Sequence, residues 1–235
     1  MTTVLKIGGS VLTDKSSEKT IDLRCFNDAL ETVSRHHEDL VLVHGAGSFG
    51  HPQADRIGLG EGTDESVHEV YEAVMELNSK VVQKLEENGV ETFPVHPSSC
   101  SYRGNGFKMM TEQIEKALKN GFTPVMHGDC VVTDNGLGVV SGDTVAARLS
   151  RELDAERLGM CASTAVKDGD GGTVEEVRRM DDFPSLENGD RDVTGGIPRK
   201  VERLLESGEI GRIFGPDSLK KFLDGGEPGT LVNPR

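Results

Sequence analysis

Small residues recur at four points of the chain, each at the boundary of an apolar segment. These segments are Gly8-Gly9-Ser10, residues 45–50, Ser141-Gly142-Asp143 and Thr194-Gly195-Gly196. Glycine lets a ligand approach the backbone closely, and successive amides of such a loop form a concave site for an anion. A helix that starts after the loop adds partial positive charge. Turns also need glycine, so one loop is weak evidence, but four of them together favour phosphate binding.

Lysines and histidines stand beside these loops. Lys6 lies in an otherwise apolar strand, where a buried ammonium group needs a partner. Lys6 either reaches solvent from an edge strand or projects over bound phosphates. Lys15 is either an ordinary surface lysine or a further cation that contacts the phosphates. His51 precedes Pro52, which favours extended backbone, and we predict a substrate contact for it rather than a capping role. His44 ends a strand and is expected to be structural.

Two common nucleotide-binding motifs do not account for these loops. The chain contains no Gly-x-x-x-x-Gly-Lys-Ser/Thr segment, which excludes a P-loop enzyme. Residues 45–50 have the spacing Gly-x-Gly-x-x-Gly of dinucleotide-binding loops. However, no acid suited to binding a ribose stands about 20 residues further on at the end of a following strand, so we discount that motif.

Segments with strand and helix periodicity alternate along almost the whole chain. Strands are expected over residues 4–7, 40–43, 90–95, 122–126, 130–133, 137–140, 158–162, 209–214 and 230–232. Helices are expected over residues 22–37, 64–87, 112–118, 141–153 and 217–223, and around residues 201–205. This alternation predicts a mainly parallel sheet with helices on both faces, in which ligands bind at the carboxyl ends of the strands. No internal repeat or interdomain linker is visible, so we expect a single domain over residues 1–235.

The charge of the chain is strongly negative. Of its 235 residues, 40 are Asp or Glu and 26 are Lys or Arg, which gives a formal net charge of −14. A nucleic acid is not expected as a partner, because its phosphate backbone requires a basic surface. The acidic surface instead suits a cytosol of high salt concentration, where screening reduces the repulsion between like charges. An activity optimum at low salt would count against this hypothesis.

Membrane insertion and disulfide bonding are not expected either. No apolar run approaches the roughly 18 to 20 residues of a spanning helix, and residues 1–6 lack the layout of a signal peptide. The four cysteines, Cys25, Cys100, Cys130 and Cys161, are scattered and form no Cys-x-x-Cys pair. We therefore expect packed thiols in a reducing cytoplasm.

Five motifs together resemble the amino acid kinase family, and within it the archaeal-type isopentenyl phosphate kinases. They are residues 6–15 (Lys-Ile-Gly-Gly-Ser-Val-Leu-Thr-Asp-Lys), residues 44–51 (His-Gly-Ala-Gly-Ser-Phe-Gly-His), Gly128-Asp129, Ser141-Gly142-Asp143, and residues 192–196 (Asp-Val-Thr-Gly-Gly) with Lys200. The first and last motifs are typical of the broad family. The Gly-Ser-Phe-Gly-His stretch is similar to the branch that phosphorylates a phosphate group. The resemblance extends to residues 229–231.

The resemblance implies an open αβα sandwich, a homodimer, and ATP-dependent phosphorylation of isopentenyl phosphate to isopentenyl diphosphate and ADP in an alternative mevalonate route. It places the acceptor roughly in residues 1–140 and the nucleotide, with Mg²⁺, roughly in residues 141–235, and no side chain is assigned as a metal ligand. The residues that would bind ATP are Lys6, Gly8, Gly9, Ser10, Gly47, Asp143, Thr164, Gly195, Gly196 and Lys200. Those that would line the acceptor site are Ala46, Gly50, His51, Gly128 and Asp129. Lys6, Lys15 and His51 would be catalytic, with Lys15 stabilising the transition state.

The sequence departs from the family at one place. Where the family commonly carries Thr-Asp-Val-Asp-Gly, residues 163–169 read Ser-Thr-Ala-Val-Lys-Asp-Gly. Ala165 replaces the first acid of that motif, and Lys167 is an insertion. The nucleoside contacts of the family therefore do not transfer to this stretch.

An isoprenoid tail requires an apolar wall. The helix expected over residues 64–87 directly follows the loop that carries His51. Its residues Val70, Tyr71, Val74 and Met75 either line that wall or belong only to the core.

Two other functions remain open. Another kinase of the same family, with a carboxylate or phosphonate acceptor, would share the ATP-binding half. A kinase for an amino acid would need an acid to bind the substrate ammonium, and the loop before His51 offers none. A non-catalytic nucleotide-binding regulator would not require three converging cations, whereas Lys6, Lys15 and Lys200 are all present.

Overall fold

The computed structural model describes residues 1–50, 64–183 and 196–235. In these ranges the strands are β1 (Thr3–Ile7), β2 (Leu40–His44), β3 (Thr92–Pro94), β4 (Ser101–Gly104), β5 (Gly106–Met109), β6 (Thr123–His127), β7 (Asp129–Thr133), β8 (Gly136–Val140), β9 (Arg157–Cys161), β10 (Glu176–Val177), β11 (Gly211–Phe214) and β12 (Thr230–Val232). The α-helices are α1 (Gly9–Leu12), α2 (Leu23–Ser34), α3 (Asp64–Glu87), α4 (Pro97–Cys100), α5 (Glu112–Lys119), α6 (Gly142–Glu152), α7 (Ile197–Ser207) and α8 (Leu219–Leu223). Short 3₁₀ helices cover Gly47–Phe49, Met180–Asp182 and Pro216–Ser218.

The main sheet has eight strands in the order β10-β12-β11-β9-β1-β2-β6-β3. Its pairs are parallel except for β11 and β12, which are antiparallel. The central strands are almost continuously apolar and buried, as expected for a parallel sheet that is covered on both faces. The prediction of a mainly parallel central sheet is therefore confirmed.

Helices cover both faces of this sheet. On one face, the buried side chains include Phe26 and Leu30 of α2, Leu77 and Val81 of α3, and Phe222 of α8, packed on Leu5 and Leu42. On the other face they include Ile114 of α5, Val145 and Leu149 of α6, and Val201 and Leu204 of α7, packed on Val4 and Val43. The arrangement is the expected αβα sandwich. None of the helices in the described ranges combines the length and the apolar content needed to cross a membrane.

A second sheet of four strands, in the order β5-β4-β7-β8, stands beside the main sheet. The strands expected over residues 130–133 and 137–140 form its β7–β8 hairpin, which turns between Thr133 and Gly136. The β4–β5 hairpin was not expected from the sequence. Its strands are short and half of their residues are exposed, with Tyr102 49% exposed, so they carry no continuous apolar pattern that would mark them.

One of the long helices has the expected bounds, whereas another helix and one strand are shorter than expected. Helix α3 has the expected bounds and ends before Gly89, whose φ of +85° favours glycine. Helix α2 ends at Ser34 rather than at residue 37, and its N-cap Asp22 accepts a hydrogen bond from the Cys25 N–H at 3.0 Å. Strand β3 is shorter than the expected 90–95, because it is an edge strand that contains Pro94.

Candidate functional site

The carboxyl ends of β9, β1, β2 and β6 lie side by side, because these neighbouring strands are all parallel. Gly8-Gly9 follows β1, residues 45–50 follow β2, and Gly128 follows β6. This edge is where open parallel sheets bind their ligands. Loops that are far apart in the sequence are thus brought to one place.

The loops after β1 and β2 pack backbone against backbone. A Cβ atom built on Gly9 would lie 2.1 Å from the Gly47 nitrogen, and one built on Gly45 would lie 2.6 Å from the Gly9 nitrogen. Gly47 has a φ of +53°, and a Cβ atom there would lie 2.1 Å from Thr13 Oγ1. No side chain fits between the two loops, which explains why glycine occupies these positions.

Hydrogen bonds join the segment that carries Lys15 to the second glycine loop. Thr13 Oγ1 donates to the Gly9 carbonyl at 2.8 Å and accepts from the Ser48 N–H at 2.9 Å. The Ser48 hydroxyl donates to the Thr20 carbonyl at 3.0 Å and accepts from the Thr20 N–H at 3.2 Å. The exposed Lys15 therefore stands on a segment whose two ends are fixed beside the glycine loops.

Lys6, Asp143 and Lys200 form a buried ionic cluster at the same edge. Lys6 Nζ lies 2.7 Å from Asp143 Oδ1, and Lys200 Nζ lies 3.6 Å from Asp143 Oδ2. The Lys6 side chain is 5% exposed, and those of Asp143 and Lys200 are each 11% exposed. Lys6 belongs to a central strand, so the alternative of an edge lysine that reaches solvent is wrong.

The electrostatics of the cluster favour an anionic ligand. Burial pushes the pKa of Asp143 upward, but the ammonium groups of Lys6 and Lys200 outweigh burial and hold this pKa below its ordinary value. Asp143 is therefore ionised at neutral pH. Among the described residues, two ammonium groups face this one carboxylate, a charge pattern that favours an anionic ligand at this edge.

The N-terminus of α6 meets the same loops. Ser141 caps the helix by accepting a hydrogen bond from the Thr144 N–H at 3.2 Å. A Cβ atom built on Gly142 would lie 3.1 Å from the His44 carbonyl oxygen and 3.5 Å from Lys6 Cε, and one built on Gly128 would lie 2.9 Å from the Gly142 nitrogen. The positive end of the helix dipole thus adds to the charge of the lysines.

Asp129 follows Gly128 and is buried, with 2% exposure. Its Oδ2 accepts from the Ser98 N–H at 2.9 Å, and its Oδ1 accepts from the Cys130 N–H at 2.8 Å. Burial raises the pKa of Asp129, although these two bonds partly oppose the rise. The carboxylate therefore holds the start of β7 against helix α4.

A small apolar cluster adjoins the loop after β2. Val67, Val70 and Val74 of α3 pack with Cys130, and Ala46 and Val139 pack against them. A Cβ atom built on Gly50 would lie 2.5 Å from the Ala46 Cβ and 3.2 Å from Val74 Cγ2. The cluster includes two of the four α3 residues that the sequence offered for an apolar wall.

The remaining expected nucleotide contacts lie after β9 and before α7. A Cβ atom on Gly215, which follows β11, would lie 3.5 Å from Thr164 Cα, and Gly196 is the N-cap of α7.

The end of the stretch 163–169, which was expected to differ from the family, forms hydrogen bonds with the residues that follow it. Asp168 Oδ1 accepts from the Gly172 N–H at 2.7 Å, and the inserted Lys167 donates to Thr173 Oγ1 at 3.0 Å.

His51 and Gly195 fall outside the described residues. The other expected site residues that follow the strand ends are gathered at this one edge, and Ser10 lies exposed in α1 directly after Gly9. The roles that the resemblance gives to these residues stay predictions at this point.

Comparison with known proteins decides the family. The sequence profile described as "Amino acid kinase family" matches residues 1–213.

The chain belongs to the amino acid kinase family.

Relatives in this family cover the chain almost completely. An isopentenyl phosphate kinase of Haloferax volcanii is 38% identical over 242 residues, which is 97% of each chain. An isopentenyl phosphate kinase of Methanocaldococcus jannaschii is 28% identical and covers 99% of each chain. A solved isopentenyl phosphate kinase structure superposes with a TM-score of 0.84 at 25% identity, over 99% of this chain and 100% of that one. This amino acid kinase family member is accordingly a phosphotransferase.

Sequence analysis gave no functional role to His127 and His96, two histidines at the same edge of the main sheet in this amino acid kinase family member. His127 ends β6 beside Gly128, and His96 follows β3 and contacts His127. A signal was present, because the dipeptide His-Gly occurs twice at the end of an apolar strand, as His44-Gly45 and as His127-Gly128. His44 is buried and hydrogen-bonded to Asn78 at 3.0 Å, in agreement with the structural role expected for it.

Proposed function

We propose that this protein transfers the terminal phosphoryl group of ATP to isopentenyl phosphate, giving isopentenyl diphosphate and ADP. The observation that carries the proposal is that Lys6 and Lys200 meet at one buried carboxylate beside the packed glycine loops. The relatives support the acceptor, since the two curated relatives and the solved structure described above are isopentenyl phosphate kinases.

The chemistry of this transfer requires neutralisation of charge more than it requires a base. A phosphate monoester has a second pKa of about 6, so the acceptor is largely ionised at neutral pH and attacks without a general base. Two polyanions must then meet in line, while negative charge spreads over the transferred oxygens. The lysine cluster and the N-terminus of α6 supply fixed positive charge at that point.

The geometry favours a separate role for each charged residue. Lys6 and Lys200 would contact the ATP phosphates, while Asp143 holds the two ammonium groups apart and aims them. Asp143 would therefore act through the lysines rather than by touching the nucleotide, because a carboxylate repels phosphate. Lys15, on its fixed segment, would stabilise the transferred group in the transition state.

The glycine loops would hold the rest of the two substrates. Backbone amides of Gly8, Gly9, Ser10 and Gly47 would bind ATP phosphates, with Thr164, Gly195 and Gly196 on the nucleotide side. Ala46, Gly50, His51, Gly128 and Asp129 would line the acceptor site. Residues 1–140 would thus bind the acceptor and part of the ATP triphosphate, and residues 141–235 would bind the rest of the nucleotide.

The apolar cluster at α3 would form the wall for the isoprenoid tail. Val70 and Val74 lie beside Ala46 and Gly50, which are proposed acceptor residues. Met75, by contrast, faces the groove that also contains His96 and Pro94. Val74 is therefore the better choice for a wall residue, and truncating it should admit a longer tail.

Mg²⁺ would enter with ATP, bound by the phosphate oxygens that this hard cation prefers. It would neutralise charge on the phosphates, in addition to the lysines. We further propose a homodimer, in a cytoplasmic setting within an alternative mevalonate route. Sedimentation equilibrium that gives only the monomer mass would refute the dimer.

The competing functions differ in their acceptors and in turnover. A kinase for a carboxylate or phosphonate would share the ATP-binding half, and a nucleotide-binding regulator would bind ATP without using it. The packed apolar cluster beside the acceptor loops favours an acceptor with a hydrocarbon tail over an amino acid.

A steady-state assay of ADP release separates these functions. The protein would be supplied with MgATP and, in separate reactions, isopentenyl phosphate, a small phosphonate or an amino acid. We expect release of ADP with isopentenyl phosphate, and a diphosphate product in the ³¹P NMR spectrum. Turnover only with another acceptor, or none at all despite ATP binding, would overturn the proposal.

His51 supplies a second test, which rests on the sequence alone. We expect His51→Ala to lose most of the activity while the far-ultraviolet CD spectrum stays that of the folded protein. Near-normal turnover in this variant would remove His51 from the mechanism.

A further inference from the structure

Three histidines form a row across the carboxyl ends of β2, β6 and β3. His44 and His127 are register partners that end β2 and β6, and His96 follows β3. The ring centroids of His44 and His127 are 5.4 Å apart, and those of His127 and His96 are 5.3 Å apart. The row stands directly next to both segments that are proposed to bind the acceptor, residues 45–50 and Gly128-Asp129.

The hydrogen bonds of His127 determine which of its nitrogens carries the proton. Nδ1 lies 2.9 Å from the Gly128 carbonyl oxygen, which can only accept, so Nδ1 donates. Nε2 lies 3.0 Å from His96 Nδ1 and must accept the proton of that nitrogen. Burial lowers the pKa of His127 to about 4, so the imidazole is neutral at physiological pH and holds this single tautomer.

Gly128 is held at both of its backbone polar groups. Its N–H donates to the His44 carbonyl at 3.3 Å, and its C=O accepts from His127. Because the peptide is planar and trans, a fixed Gly128 carbonyl also fixes the direction of the Asp129 N–H. Glycine has more backbone freedom than any other residue, so these bonds, together with the pairing of Asp129 with Val140 between β7 and β8, set the geometry.

Residues 96–98, at the start of α4, contact both His127 and Asp129. His96 donates to His127, and the Ser98 N–H donates to Asp129 Oδ2 at 2.9 Å. His127 is 0% exposed and Gly128 is half-buried, so the hydrogen bond between them is partly shielded from solvent. Without this donor the Gly128 carbonyl loses a hydrogen bond, so the Gly128-Asp129 peptide is held less firmly in this orientation.

We propose that His127 is a positioning residue for the acceptor phosphate. Its imidazole, oriented by His96, fixes the Gly128-Asp129 peptide in the conformation that binds the acceptor. This inference rests on the proposed function, because the place of the acceptor at Gly128 and Asp129 is part of that function. His127 acts through Gly128 and touches no substrate.

Two substitutions of His127 each keep one of the two hydrogen bonds of the ring and remove the other. In His127→Asn the side-chain amide occupies the position of Nδ1 and still donates to the Gly128 carbonyl. In His127→Gln the amide reaches the position of Nε2, so it keeps the contact with His96 but leaves Gly128 unsupported. His68→Gln, at a histidine of α3 that is 69% exposed, is the matched control.

The readouts are the KM values for isopentenyl phosphate and for ATP, kcat, and the melting temperature of each variant. We expect His127→Gln to raise the KM for isopentenyl phosphate about tenfold, with the KM for ATP changed less than about twofold. The Asn variant should rescue most of this loss, to within about threefold of the wild type. The control should match the wild type in every measurement.

Each contrary outcome has a separate meaning. Wild-type protein that binds ATP but does not phosphorylate isopentenyl phosphate overturns the proposed function and this inference with it. Active wild type with equal effects of Asn and Gln, or with effects that follow the melting temperature alone, leaves the function intact and overturns the positioning role.

A further variant serves if His127→Gln does not fold. His96→Ala removes the donor that orients His127 from a half-buried position, and His96→Asn restores a donor near Nδ1. A higher KM for isopentenyl phosphate in the Ala variant, recovered in the Asn variant, supports the positioning role. An unchanged KM in His96→Ala overturns it.

Discussion

Lys6 Nζ lies 2.7 Å from Asp143 Oδ1, so the central strand β1 and the first turn of α6 are joined by an ion pair that is nearly closed to solvent. Lys200 completes the cluster from α7 at 3.6 Å. Removal of the shared anion would leave two buried ammonium groups facing each other. The cost of a buried charge without a partner is much larger than the net worth of an intact pair.

We therefore expect Asp143→Asn to destabilise the protein. Asparagine keeps the shape of the side chain but removes its charge, and the free energy of unfolding should fall by about 3 kcal/mol. Urea unfolding followed by far-ultraviolet CD measures the change.

Asp28→Asn is the matched control for this loss. Asp28 is 73% exposed and lies 3.9 Å from Arg24, so its removal should change stability by less than about 0.5 kcal/mol. Equal urea midpoints for the two variants would mean that the buried cluster contributes no stability.

Gly47 offers a test of the contact between the two glycine loops. In Gly47→Ala the new methyl group would meet Thr13 Oγ1 at 2.1 Å, at a φ of +53°. The left-handed backbone alone costs about 1 kcal/mol, and the collision should bring the total loss of stability to about 3 kcal/mol. Urea unfolding is again the measurement.

Gly89→Ala separates backbone strain from the collision. Gly89 also has a positive φ, of +85°, but a Cβ atom there would meet no atom of the described residues within 4 Å. This variant should lose only about 1 kcal/mol. If both variants lost the same amount, the loops would have room for a side chain and the close approach would be wrong.

The loops and Lys6 were predictable from the sequence because their signals are local. Glycine pairs after apolar segments and a lysine inside an apolar strand stand out in the residue order itself. Alternation of strands and helices then predicted that parallel strand ends would bring these loops together. The structure confirms the sheet, and it shows Lys6 and Lys200 at one carboxylate.

The histidine row and the second hairpin were not predictable in the same way. The row depends on the lateral order of β2, β6 and β3, which no local pattern contains. The β4–β5 hairpin is short and half of its strand residues are exposed, so its sequence shows no regular apolar pattern. Both features arise from pairings between distant segments.

Lys15 should affect turnover more than nucleotide binding. If it stabilises the transferred group in the transition state, Lys15→Ala should lower kcat about 100-fold while the KM for ATP changes less than about threefold. Lys119→Ala, at an exposed lysine at the end of α5, is the control and should leave both values unchanged. A weaker affinity for ATP with unchanged kcat would reverse the role and make Lys15 a binding residue.

The buried histidines make stability depend on pH in a defined window. Burial lowers the pKa of His44 to about 3 and that of His127 to about 4, from an ordinary value of 6.5. At pH values between the folded pKa and 6.5, each of these histidines binds a proton in the unfolded chain but not in the folded protein. The free energy of unfolding must therefore decrease as the pH falls below 6.5. Each group contributes a slope of up to about 1.4 kcal/mol per pH unit. Above that window the two histidines are neutral in both states and contribute no dependence.

Urea unfolding at pH values from 7 down to 5 tests this dependence, above the range in which most carboxylates titrate. His127→Asn removes one of the two titrating groups, so its stability should fall less steeply than that of the wild type across the same range. His68→Gln removes an exposed histidine and should leave the slope unchanged. A wild-type stability that stayed constant from pH 7 to 5 would show that the buried imidazoles take up protons as easily in the folded protein as in the unfolded chain.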